Sequence, residues 1–180
     1  LDEAVISEKS TILAIKPPDR IVDLLNEYVS DDIKELGLHM TIADLGDLKE
    51  EDVARCISLL HEEMSVLSSI NISYVGEGTF KMPNSNFANV VLLSGQGLDV
   101  WRYEISQKLK EEGLLNNEID AFHPHMTIGR SEEKNYKLPE TFGFKAFTID
   151  CIYFFRGKNI RIPIFAGEQT AAAKETEANK

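Results

Sequence analysis

The chain has 180 residues, near the roughly 100–200 expected of one domain, so a single compact unit or two fused half-units is expected rather than a multidomain assembly. Hydrophobic residues make up 43% and charged residues 27%, enough apolar material for a core, while the longest apolar run, Cys151 to Phe155, is far too short to cross a bilayer. Thirty acidic against nineteen basic side chains give a formal charge of −11, which disfavours long nucleic acid and leaves a small anionic ligand in a locally basic pocket as the compatible partner.

The chain opens LDEAVISEK, without a basic stretch followed by an apolar one, so a cytoplasmic location is expected rather than secretion. Residues 10–16, STILAIK, read as a strand stopped by Pro17 and Pro18. Asp19 is placed to cap a helix with Ile21, Leu24, Leu25 and Tyr28 on one face. After Gly37, HMTIADLG reads as a short strand that breaks at Gly46. Asp47 with Glu50 then resembles a capping box opening a long helix, whose apolar stripe is Val53, Ile57, Leu60, Met64 and Leu67. NISYVGEGTFK and ANVVLLSG read as strands separated by the turn-forming MPNSNF. Trp101, Ile105 and Leu109 share the face of a helix ending near Gly113, and after a polar loop the chain returns as HPHMTIGR. KAFTIDCIYFFRGKNIRIPIF reads as a hairpin turning at Gly157–Lys158–Asn159 and completing one lobe's sheet. Residues 166–180 carry no aromatic or large aliphatic side chain, so a flexible tail is expected beyond a single domain at 1–165. Cys56 and Cys151 lack CxxC spacing and are expected to be reduced core thiols.

The halves repeat. A strand (Ile12 to Ile15, Val90 to Leu93) leads into an amphipathic helix and then into the tetrapeptide HMTI. The expected fold is α/β in the α+β sense and bilobal: two lobes related by a pseudo-two-fold, each a mostly antiparallel sheet with packed helices, around a central cleft. Fewer than one His-x-Thr match is expected by chance with four His in the chain, yet His39-Met40-Thr41-Ile42 and His125-Met126-Thr127-Ile128 both occur. On a strand, His and Thr project to one face while Met and Ile enter the core. Two such faces across one cleft suit a phosphodiester. In-line displacement at phosphorus needs a base on the nucleophile and an acid on the leaving oxygen, and imidazoles near their usual pKa of about 6.5 fill both roles without a metal or cofactor. Thr41 and Thr127 can donate to non-bridging phosphate oxygens. Arg130 is a candidate phosphate clamp, although strict strand alternation sets it opposite Thr127 unless Gly129 bends the strand.

HMTIADLG and FHPHMTIGR are similar to the two signatures of the two-histidine (2H) phosphoesterases, which include RNA 2',5'-ligase-like proteins and cyclic nucleotide phosphodiesterases. The resemblance covers nearly the whole of residues 10–165. It implies a bilobal α/β fold and metal-independent cleavage of 2',3'-cyclic or 2'-5' phosphodiester bonds in a small nucleotide or short oligonucleotide. By the same resemblance His39 and His125 are the catalytic pair, Thr41 and Thr127 the phosphate-binding pair, and Arg130 the family's frequent arginine. Asp44 departs from the pattern, standing where an aromatic is common.

Other readings of these residues are blander. His123 could join His125 as an HxH metal pair, but no third ligand lies in register, and His61 reads as a solvated helix residue. Arg130 could pair with Glu132 or Glu133, and Tyr74, Phe80, Tyr153 and Phe155 read as core aromatics rather than base platforms. Hydrolysis of cyclic oligonucleotide immune signals, or a non-catalytic nucleotide-binding or assembly module excised from a larger polypeptide, are the alternative functions. A monomer without a membrane partner is expected.

Overall fold

The computed structural model describes residues 7–83, 86–116, 122–131 and 146–167. The EEKNYK stretch, Glu132 and Glu133, and the expected tail from 168 onward lie outside the described residues. Among the described residues, eight strands form two antiparallel sheets of four. The first has the order β2-β1-β7-β8, from β1 (Ser10–Ile15), β2 (Met40–Asp47), β7 (Cys151–Arg156) and β8 (Ile160–Phe165). The second has the order β5-β4-β3-β6, from β3 (Ile70–Lys81), β4 (Phe87–Ser94), β5 (His125–Ser131) and β6 (Phe147–Ile149). Helices α1 (Asp19–Leu25), α2 (Asp31–Leu36), α3 (Glu50–Ser65) and α4 (Leu98–Glu111) complete the lobes, so the expected bilobal α+β architecture holds. No helix among the described residues is long and apolar enough to cross a membrane.

The apolar stripes decide how the helices sit. α3 buries Cys56, Leu59, Leu60 and Met64, and α4 buries Leu98, Trp101, Ile105 and Leu109. These side chains join those of both sheets in one continuous cluster, and α3 packs on β8 and α4. Burial pushes the Cys56 thiol up to about 11, keeping it protonated and unreactive at neutral pH. The Trp101 indole donates to the Ser68 carbonyl at 3.1 Å, so its polar edge is satisfied inside the core.

Three local expectations are corrected. Asp19 is the first helical residue rather than the cap, Pro18 holds the cap position with no side-chain bond, and Leu24 points outward while Ile21 and Leu25 are buried. Asp47 and Glu50 form no capping box: Lys49 is the cap residue, Asp47 ends β2, and Glu50 reaches a remote arginine. The final β segment is more than one hairpin. Phe147–Ile149 pairs with β3 of the second sheet, and from Tyr153 the chain pairs with β1 of the first, turning to β8 at residues 157–159 as expected. The switch at Asp150 carries neither Gly nor Pro, so the sequence runs through it as uninterrupted β text. At the end of β8, Ala166 donates to Asp150 O and Gly167 to Met64 O.

Arg156 ties the first sheet to α3. Its buried guanidinium donates from Nη1 to the carbonyl of Leu48 (2.6 Å) and to Thr11 Oγ1 (3.2 Å), and from Nη2 to Glu50 Oε2 (3.0 Å). Glu50 itself is largely exposed, which screens the ion pair, whereas the Leu48 carbonyl has its partner inside the protein. Urea unfolding of Arg156→Met is therefore expected to show a loss of about 2–4 kcal/mol, and Glu50→Ala less than about 1 kcal/mol. Equal losses would mean that the ion pair, not the carbonyl contact, carries the effect.

Candidate active site

Each HMTI tetrapeptide places its side chains by strand alternation. Met40, Ile42, Met126 and Ile128 are buried, while His39, Thr41, His125 and Thr127 line one cleft of about 290 Å³ between the lobes. β2 and β5, the strands that carry the motifs, edge their sheets and lie in contact. The pseudo-two-fold thus brings the two His-x-Thr faces together.

A shared irregularity re-aims the side chains beyond each motif. Val90 faces Thr127 and Asn89 faces Gly129, so Ile128 is an extra residue in the ladder; Ala14 faces Thr41 and Leu13 faces Ala43, so Ile42 is its counterpart. The bulge reverses the alternation past it. Arg130 pairs opposite Ala88, two residues from Val90, and therefore shares the face of Thr127 and lines the cleft. The change of face arises at Ile128 rather than from a bend at Gly129. The Ile128 carbonyl accepts from the Ser30 backbone N–H at 2.8 Å, which satisfies the bulge and ties it to the start of α2. Arg130 Nη1 stands 4.0 Å from Asp32 of α2. In the first lobe the same bulge sets Asp44 on the face of Thr41, with its carboxylate accepting from the Gly46 N–H at 2.9 Å.

Both imidazoles are anchored alike. His39 Nδ1 lies 2.7 Å from the Gly37 carbonyl, and His125 Nδ1 lies 2.6 Å from the His123 carbonyl. A carbonyl only accepts, so each Nδ1 carries a proton, and a ring in its neutral form keeps its lone pair on Nε2. His123 contributes this carbonyl; its side chain is exposed and absent from the cleft lining. Two phenylalanines brace the rings edge-on, Phe155 against His39 at 5.4 Å between centroids and Phe80 against His125 at 4.9 Å. Desolvation by burial lowers the His39 pKa, Arg161 and His125 add repulsion, and the Gly37 hydrogen bond offsets part of the effect.

Three cleft residues escape a reading of the sequence. Phe80 and Phe155 read as core aromatics, yet both line the cleft; Tyr74 and Tyr153 do not. Arg161, on β8, belongs to no motif, and it enters because β8 pairs with β7 in a register that sets Arg161 beside Phe155. Its arginine identity and the strand pattern are visible in the residues, but the face it occupies depends on that register.

No protein-family model and no curated protein matches the chain. Solved structures do. TT0787 of Thermus thermophilus is similar at 16% identity and a TM-score of 0.67, covering 87% of this chain and 98% of that one. A protein described only as a phosphoesterase aligns at 17% identity and a TM-score of 0.60, covering 87% and 99%. Escherichia coli LigT complexed with NADP+ aligns at 18% identity and a TM-score of 0.64, covering 89% and 98%. The chain therefore shares its fold with TT0787, with that phosphoesterase and with LigT.

The lowered pKa makes a signed prediction. Below its pKa an imidazole is charged, so a value under 6.5 leaves His39 more than half neutral at pH 6.5. An NMR titration of the ring protons is expected to place the His39 midpoint below pH 6.5 and to move it up in Arg161→Gln. A midpoint at or above 6.5 would contradict the burial argument.

Proposed function

We propose that this chain is a two-histidine phosphodiesterase that acts on 2',3'-cyclic or 2'-5' phosphodiester bonds of small nucleotides or short oligonucleotides, with its catalytic domain within residues 1–165. The observation that carries the reading is the pair of imidazoles in one cleft, each with Nδ1 held by a carbonyl and each accompanied by its own threonine. The fold shared with phosphoesterases supports it, as does the size of the cleft, near the lower end of the range for small-molecule sites.

The proton transfers follow from the two rings. The neutral His39 Nε2 takes a proton from water as its oxygen attacks phosphorus, and the bond to the leaving ribose oxygen breaks on the opposite side. His125, entering as the imidazolium, delivers its proton to that oxygen. The reaction thus ends with His39 charged and His125 neutral, and exchange with solvent restores both. Burial that keeps His39 neutral suits the base role. Thr41, Thr127 and Arg130, which line the cleft, donate in this scheme to the non-bridging oxygens, where charge builds in the transition state. Both transfers are supplied by side chains, so the scheme calls for no metal. E. coli LigT has been crystallised with NADP+ and with 3'-AMP, which favours a small nucleotide here as well.

His39→Ala and His125→Ala are each expected to lower turnover by about 10²–10⁴-fold while retaining the wild-type unfolding transition. Turnover should survive excess EDTA. The substrates to assay are 2',3'-cyclic mononucleotides, 2'-5' and 3'-5' oligoadenylates and cyclic dinucleotides, with products located by phosphorus NMR. Cleavage is expected in the first two classes; full activity in either alanine variant, or loss in EDTA restored by a divalent ion, would overturn the reading.

A further inference from the structure

The pseudo-two-fold matches the aromatic residues of the cleft but not its charges. Across the second sheet, Arg130, Ala88 and Phe80 stand opposite one another in register; across the first, Asp44, Ile12 and Phe155 do the same. Phe80 and Phe155 thus occupy matching places, each edge-on to its lobe's histidine. Where the second lobe has Arg130 the first has an acid, and its cation comes from the far side of the sheet, where Arg161 of β8 faces Phe155. The strand in the corresponding place of the second sheet, β6, pairs with β3 only at Ile70–Ile72 and leaves the row of Phe80 without a counterpart to Arg161 among the described residues.

Arg161 has hydrogen-bonding capacity that its protein contacts do not use. Its guanidinium lies over the Phe155 ring at 4.1 Å, and Nη1 donates to the carbonyls of Gly157 (3.0 Å) and Ile160 (2.8 Å). Among the described residues no carboxylate pairs with it, and Nη2 and Nε have no protein acceptor. A half-buried guanidinium that forgoes acidic partners in a chain of net charge −11 keeps its adjacent N–H pair for an oxyanion from outside.

We propose that Arg161 forms a second anion subsite on the His39 side of the cleft, which takes a phosphate of the bound nucleotide other than the one between the histidines. The inference deepens the proposed function and rests on it for the position of the first phosphate. It narrows the substrate class to nucleotides or oligonucleotides bearing a further phosphate.

Calorimetric binding of adenosine 3',5'-bisphosphate and adenosine 3'-monophosphate, at one pH and salt concentration, tests the assignment without requiring turnover. The wild-type protein is expected to hold the bisphosphate about 10–100-fold more tightly, the range for a charged hydrogen-bonded contact. In Arg161→Gln the two affinities are expected to converge to within about threefold, a remainder attributable to screened long-range attraction. Equal wild-type affinities, a preference preserved in Arg161→Gln, or an equal loss for both ligands as base stacking on the guanidinium would give, overturns the subsite. If the glutamine variant does not fold, Arg161→Lys decides: loss of the planar fork lowers the preference several-fold, and a preference unchanged from wild type overturns the assignment. Selective binding with no cleavage of any phosphodiester would overturn the catalytic reading and leave the subsite standing; cleavage without selectivity would do the reverse.

Discussion

The hydrogen bond from each imidazole Nδ1 to the carbonyl two residues upstream is the constraint on which the site depends. It joins His39 to Gly37 and His125 to His123, and it is made within each strand approach rather than across the cleft. Each lobe therefore sets the tautomer and direction of its own ring without help from the other. The fold must then supply the meeting, and it does so by placing β2 and β5 in contact at the edges of their sheets. A shared apolar cluster through α3, α4 and both sheets makes that contact a packed one.

The bulges at Ile42 and Ile128 show how a repeated backbone can carry unlike chemistry. In both lobes the extra residue brings the side chain three positions after the threonine onto the threonine's face of the sheet, where Arg130 but not Asp44 lines the cleft. That side chain is Arg130 in one lobe and Asp44 in the other, and the first lobe's cation comes instead from Arg161 on β8. The cleft is symmetric in its imidazoles, hydroxyls and phenylalanines, and asymmetric in its arginines. A symmetric pair suits proton transfers on opposite sides of one phosphorus, while an asymmetric set of cations orients a ligand whose two ends differ.

Much of this is legible in the residues. The repeated HMTI specifies which side chains share a face, because a period of two leaves Met and Ile no place but the core. The stripe of α4 is equally readable from its spacing of four, and that of α3 in part: Leu60 and Met64 are buried as expected, but Cys56 and Leu59 are buried beside them while Val53 and Ile57 are half-buried and Leu67 lies beyond the helix. Features that depend on register or on remote partners are not. Glu50 imitates a capping box, but its partner is Arg156, over a hundred residues away in sequence. The break at Asp150 has no turn residue to announce it, and Arg161 enters the cleft only through the pairing of β8 with β7. Phe80 and Phe155 are legible as strand aromatics, but whether such a ring faces core or ligand is settled by the space in front of it.

The most direct test of the central claim is a crystal structure of the protein with a nucleoside–vanadate complex, whose trigonal bipyramid imitates phosphorus during in-line displacement. Vanadium is expected between the two rings, with the Nε2 atoms of His39 and His125 each about 2.6–3.2 Å from a different apical oxygen. Vanadate bound outside this cleft, or engaged by one imidazole with the other turned away, would contradict the claim.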